Sequence, residues 1–192
     1  MHIVHTDTVS KGKPKLKNMV LISLFSVLII ICAWIKIPGP VPFTLQTFGI
    51  FCTFGIIGGR MGFYSVLIYI LLGLIGLPVF SGFNAGAGMV FGATGGFLAG
   101  FLLAAVAYGF TIKLLGNSLA AKIAGMLLGQ VVCYLSGTAW YMLVYLQETG
   151  KENWFVSIKY CVLPFIAVDI LKIISAAIVS EKVSTRLGIQ NM

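Results

Sequence analysis

Asp169 and Lys172 are the residues of this 192-residue chain whose types and spacing most plainly offer chemistry. They stand in VDILKII, three positions apart, inside an otherwise uncharged stretch from Tyr160 to Ser180. On a helix, that spacing puts both side chains on one face with Cβ atoms about 5–6 Å apart. An acid and a base so placed can pair. Each costs about 2.5–3.5 kcal/mol at the centre of a membrane helix, and pairing lowers that cost. One reading is an ion pair that only fixes helix packing. The other follows from the rule that ionisable groups inside a membrane mark a substrate or ion path. A proton path wants a chain of such groups. A single pair suits a binding site for a small polar headgroup.

Other candidates surround this pair in the sequence. The segment PVFSGFNAGAGMVFGATGG, from Pro78, is long, uncharged and rich in glycine. Gly82 and its neighbours permit close backbone approach to a ligand. Phe80, Phe83 and Phe91 can supply apolar walls, and the Asn84 amide can both donate and accept. A re-entrant packing loop is the plainer alternative. Gln46, in VPFTLQTFG from Val41, sits at the outer start of a predicted helix, where an interhelical hydrogen bond and a ligand contact are equally open. Tyr141 joins these as a predicted substrate-binding residue.

Catalytic chemistry is poorly served, and an enzyme is not expected. His2 and His5 lie in the N-terminal tail, so the apolar part has no Ser-His or Cys-His pair. Cys32, Cys52, Cys133 and Cys161 are dispersed without metal-ligand spacing, which predicts buried inert thiols and no metal site. No phosphate-binding GxxxxGK[ST] loop is present. Any ATP-driven work therefore needs another subunit.

The elements that must position these residues follow from composition. Only 9% of the chain is charged and 59% is hydrophobic. A soluble domain carries about 25% charged residues, so lipid is the expected solvent. The +8 net charge is scattered between apolar blocks, which argues against nucleic-acid binding. Six spans are predicted: Met19–Ile35; a second opening at Ile37 with its helix starting near Thr44 and ending at Gly59; Gly62–Leu77; Ala93–Ile112; Ile123–Leu146; and Tyr160–Ser180. The fold class is an all-α integral membrane protein, a six-helix bundle. A basic tail (1–18), the membrane domain (19–181) and a short C-terminal tail (182–192) make up the chain. With both termini cytoplasmic, nine basic residues fall inside and three outside (Lys36, Lys151 and Lys159). The Pro38–Pro42 turn, the Pro78–Gly92 segment and the Gln147–Ser157 loop then open outward. Gly92, Gly96, Gly100 and Ala104 on the fourth span form a small-residue ladder, as do Ala121, Gly125, Gly129, Cys133 and Gly137 on the fifth. Such ladders predict close helix packing. Asn117 or Ser118 is the expected N-cap of the fifth helix.

In three pieces the sequence resembles the BioY family, the biotin-specific substrate-binding S components of energy-coupling factor (ECF) transporters. These are VPFTLQTFGIF from Val41, GLPVFSGFNAGAGMVFGATGGFLAGF from Gly76 and LPFIAVDILKIISAA from Leu163. The resemblance implies a multi-pass protein of the cell membrane that captures biotin from outside with high affinity. It implies import with an ECF transmembrane subunit and two ABC-type ATPase subunits, with biotin as transported ligand and no cofactor. Asn84, Asp169 and Lys172 would be its polar contacts. The alternatives are an S component for another small vitamin, or a structural membrane subunit. The first span departs from the Ala-xxx-Ala docking stripe of many S components, offering Ser23 and Val27, with Ser26 nearby. Biotin's ureido ring has two N–H donors and a carbonyl. Asp169 can accept from the former and Lys172 or Asn84 donate to the latter, while the phenylalanines receive the thiophane ring and chain. A rival assignment gives Lys172 to the carboxylate.

Overall fold

The structure is a computed structural model that describes residues 13–37, 43–149 and 162–187. Helix α1 (Lys13–Trp34) begins well before the expected Met19. Pro14 permits this, because the first helical turn needs no N–H from it. Two short antiparallel strands follow, β1 (Lys36–Ile37) and β2 (Phe43–Thr44), paired Lys36 to Thr44. The Pro38–Pro42 turn expected between them lies outside the described residues, as does the Gln147–Ser157 loop beyond Thr149.

Helix α2 (Gln46–Leu74) is one run in name only. Gly58, at φ 81°, breaks it into two segments. The Gln46 Nε2 donates to the Tyr69 hydroxyl at 3.1 Å. In a straight helix those residues would be about 34 Å apart at 1.5 Å per residue, so the segments fold back on each other. Arg60 flagged this reversal in the sequence. The break falls at Gly58 because positive φ is cheap for glycine alone. A 3₁₀ turn (Ser81–Phe83) and helix α3 (Ala87–Phe91) give the Gly-rich segment local structure.

Helices α4 (Gly95–Leu115) and α5 (Leu119–Thr149) form a hairpin. Ser118 caps α5, its Oγ accepting from the Ala121 N–H at 3.2 Å. The two glycine ladders meet. A Cβ on Gly96 would lie 2.7 Å from the Ser136 carbonyl oxygen, and one on Gly100 3.0 Å from the Cys133 Cα. The ladders are therefore packing seams. Helix α6 (Ile166–Leu187) starts later than the expected Tyr160, after the turn holding Pro164. The residue before a proline disfavours helical backbone. Asp169 consequently stands in the first turn of α6 rather than deep within a span. A carboxylate there also meets the positive end of the helix dipole.

The surface is inverted relative to a soluble protein. Leu24, Val27 and Ile31 on α1, Val106 and Phe110 on α4, and Leu171, Ile174 and Ile178 on α6 are exposed. Asp169, Lys172, Gln130, Thr53 and Ser65 are buried. Ser26 is also buried, donating to the Ser65 carbonyl oxygen at 3.0 Å. It joins α1 to α2 and leaves Ser23 and Val27 as the outward members of its stripe. Among the described residues, four helices are long and apolar enough to cross a membrane: Lys15–Trp34, Gln46–Leu74, Gly95–Leu115 and Leu119–Val144. The chain is a multi-pass membrane protein. Helix α6 is not among the four, because Asp169, Lys172, Glu181 and Lys182 lower its hydropathy.

One charge departs from its expected role. Lys122, one of the nine basic residues that the sequence assigns to the cytoplasmic side, is 1% exposed and bonds Glu181 at 2.6 Å. The described residues thus contain two intramolecular ion pairs, Lys122–Glu181 and Lys172–Asp169.

Candidate binding site

A cavity of about 370 Å³ opens among α2, α4, α5, α6 and the segment around Phe80. That is the lower part of the size range of small-molecule sites, about 300–1,000 Å³. Its polar end is built on Asp169. The Lys172 ammonium donates to Asp169 Oδ1 at 2.9 Å, across the i,i+3 spacing expected from the sequence. Three further donors converge from other helices. The Thr47 hydroxyl donates to Oδ1 at 3.2 Å, the Gln130 amide to Oδ2 at 2.9 Å, and the Tyr134 hydroxyl to Oδ2 at 2.6 Å. Lys172 also donates to Thr47 Oγ1 at 3.1 Å and stands 5.3 Å from the centre of the Phe43 ring. A buried ion pair is tolerated when added hydrogen bonds satisfy its remaining valences, and this network supplies them.

Helix geometry explains the convergence. Thr47 is in the first turn of α2, held where the β hairpin delivers the chain. Gln130 and Tyr134 are one turn apart on α5, so they share a face. Asp169 and Lys172 are likewise one turn apart on α6. The rest of the cavity is largely apolar. Phe80, Phe97, Phe101, Phe165, Tyr69 and Met89 line it, with Gln46, Thr94 and Tyr141 as further polar groups.

Of the predicted residues, Asp169, Lys172, Gln46, Phe80 and Tyr141 line this cavity. Gln46 does so while bonded to Tyr69, so its amide serves both a helix contact and the cavity wall. Asn84 and Gly82 are exposed on the loop, and the Asn84 amide donates to the Ser81 carbonyl oxygen at 2.8 Å. Phe91 is 66% exposed on α3. Phe83 packs against Trp34, with ring centres 5.1 Å apart, and Trp34 donates to the Pro78 carbonyl oxygen at 2.9 Å. The C-terminal end of α1 thereby pins the loop. Thr47, Gln130 and Tyr134 were not singled out from sequence. Their one signal was a polar side chain on an apolar span, and Gln130 sits beside Gly129 in a ladder that reads as packing. Cys32, Cys52 and Cys133 are buried free thiols, and among the described residues no cluster of His, Cys, Asp and Glu could hold a metal.

The family profile described as the BioY family matches residues 6–188 of the chain. The biotin transporter BioY of Thermotoga maritima is 36% identical over 169 residues, covering 86% of this chain and 94% of that protein. A probable biotin transporter BioY of Pyrococcus horikoshii is 36% identical over 169 residues, covering 88% and 96%. The crystal structure of an S-component for biotin from an ECF-type ABC transporter superposes with a TM-score of 0.79 at 26% identity, covering 92% of this chain and 95% of that one.

Proposed function

The chain belongs to the BioY family, and from that membership and the Asp169 cavity together we infer that it takes up biotin as the substrate-binding S component of an ECF-type transporter. The observation that carries the site is the convergence of Thr47, Gln130, Tyr134, Asp169 and Lys172 at one end of an otherwise apolar cavity. Biotin has the matching division, a polar ureido head on an apolar ring and chain. The ureido head faces the ion pair, with Lys172 donating to its carbonyl. The ring and valerate chain lie along Phe80, Phe97 and Phe101. Charge-assisted hydrogen bonds are about twice as strong as neutral ones, which suits tight capture of a dilute nutrient.

The protein crosses the cell membrane six times, counting the two segments of α2 separately and including α6. Both termini are cytoplasmic, with short tails flanking the membrane domain. The reversal at Gly58 and the inward-facing charges of α6 support that count, and the basic residues support the orientation. An ECF transmembrane subunit and two ABC-type ATPases drive release, since this chain has no phosphate-binding loop of its own.

Isothermal titration of the purified protein with biotin tests the function. The expected result is tight binding, with desthiobiotin competing and riboflavin and thiamine not. Biotin binding no tighter than riboflavin or thiamine overturns it.

A further inference from the structure

An ionised carboxylate offers about four lone-pair positions to donors. Around Asp169 protein groups take all of them: Lys172 and Thr47 on Oδ1, Gln130 and Tyr134 on Oδ2. A ligand N–H that bonds this carboxylate must therefore take the place of one of these donors.

The four donors are not equally free to leave. Lys172 carries the compensating charge. Thr47 donates to Asp169 and accepts from Lys172, so its departure breaks two bonds. Gln130 is 5% exposed, and its Oε1 has no hydrogen-bond partner. Freeing its amide nitrogen would leave a second buried group unpaired. Turning that amide over would face its oxygen to the carboxylate, so the orientation is chemically fixed. Tyr134 is only half-buried, lines the cavity and bonds the carboxylate once.

We propose that the Tyr134 hydroxyl holds the position on Asp169 Oδ2 that a ligand N–H takes on binding, and so keeps the carboxylate satisfied in the empty site at a displacement cost that an N–H donor offsets. This rests on the reading of the cavity as the biotin site, where the ureido ring supplies the N–H. The exchange conserves the count of hydrogen bonds on the carboxylate. A ligand presenting an acceptor or a methyl group there displaces Tyr134 and leaves a buried carboxylate one bond short. Tyr134 is a positioning residue: it acts through Asp169, which reads the N–H.

The test compares wild-type protein with Tyr134→Phe by equilibrium binding of biotin and of biotin methylated at both ureido nitrogens. Biotin binding by wild type checks the functional reading by itself. Given that, Tyr134→Phe is expected to bind biotin about tenfold tighter, the factor of one net hydrogen bond no longer displaced. The methylated analogue, which displaces the same hydroxyl, is expected to tighten by the same factor and to stay about tenfold weaker than biotin in both proteins. A second measurement serves where that variant fails to fold. The fluorine resonance of 3-fluorotyrosine placed at position 134 of otherwise native protein is expected to shift on adding biotin, as the hydroxyl leaves the carboxylate. Biotin affinity unchanged or reduced in Tyr134→Phe overturns the proposal, and so does a fluorine resonance that saturating biotin leaves in place.

Discussion

Lys172 has three N–H donors, and two are committed to Asp169 and Thr47. The third is available to one oxygen of a ligand. With Lys172 on the ureido carbonyl, Lys172→Ala weakens biotin and biotin methyl ester alike, by about 10- to 100-fold for a charge-assisted bond. Titration of both ligands checks this. A loss for biotin with none for the ester moves Lys172 to the carboxylate. Asp169→Asn turns one acceptor oxygen into a donor facing donors. Biotin affinity should fall about 30-fold or more, as for other broken buried charge pairs, while the purified variant stays folded by circular dichroism. Asp169 and Lys172 were legible in the sequence because charge is rare in this chain and its cost demands a reason. Thr47, Gln130 and Tyr134 were not, because an uncharged polar residue on an apolar helix has no such cost to announce it. Their convergence is a property of three helices meeting. Asn84, Gly82 and Phe91 do not line the cavity, and which way the side chains of such a glycine-rich segment point is not encoded in its sequence.

At the level of elements, the reversal inside α2 depends on Gly58 at φ 81°. A Cβ there meets no atom within 4 Å, so the penalty of Gly58→Ala is backbone strain alone. It should cost about 1–2 kcal/mol and lower the melting temperature in detergent by several degrees. Gly100→Leu acts differently, through the α4–α5 seam, and should destabilise more, since Cys133 backbone lies where its Cβ would go. Comparing the two melting curves separates strain from steric exclusion. The four long apolar helices were legible from uncharged runs bounded by Lys and Arg, and the glycine ladders from their four-residue period. Helix ends were less so. Pro14 admitted helix where a tail was expected, and Pro164 delayed it where a span was expected. Hydropathy registers neither effect, because both act on backbone dihedrals and not on solvation.

For the whole molecule, orientation is open to direct measurement. In a variant cleared of native cysteines, an impermeant thiol reagent added outside intact cells should label Lys36→Cys and spare Lys113→Cys, since both positions are exposed and lie at opposite ends of the bundle. Lys122 and Glu181 tie α5 to α6 at one end, as Gln130 and Tyr134 tie them through Asp169 at the other. Those ties have a consequence for biogenesis. Alone, α6 presents Lys172 to lipid, where a lysine costs about 2.5–3.5 kcal/mol at a helix centre, together with Asp169, Glu181, Lys182 and Arg186. Against these its Ile, Leu and Val residues gain only about 0.3–0.6 kcal/mol each. Its partners lie chiefly on α5, made earlier by the ribosome, and on α2, made earlier still. The last helix should therefore leave the translocon only as those helices receive it. Appended by itself to a reporter, the Ile166–Leu187 segment should fail to integrate. With α5 ahead of it, it should cross.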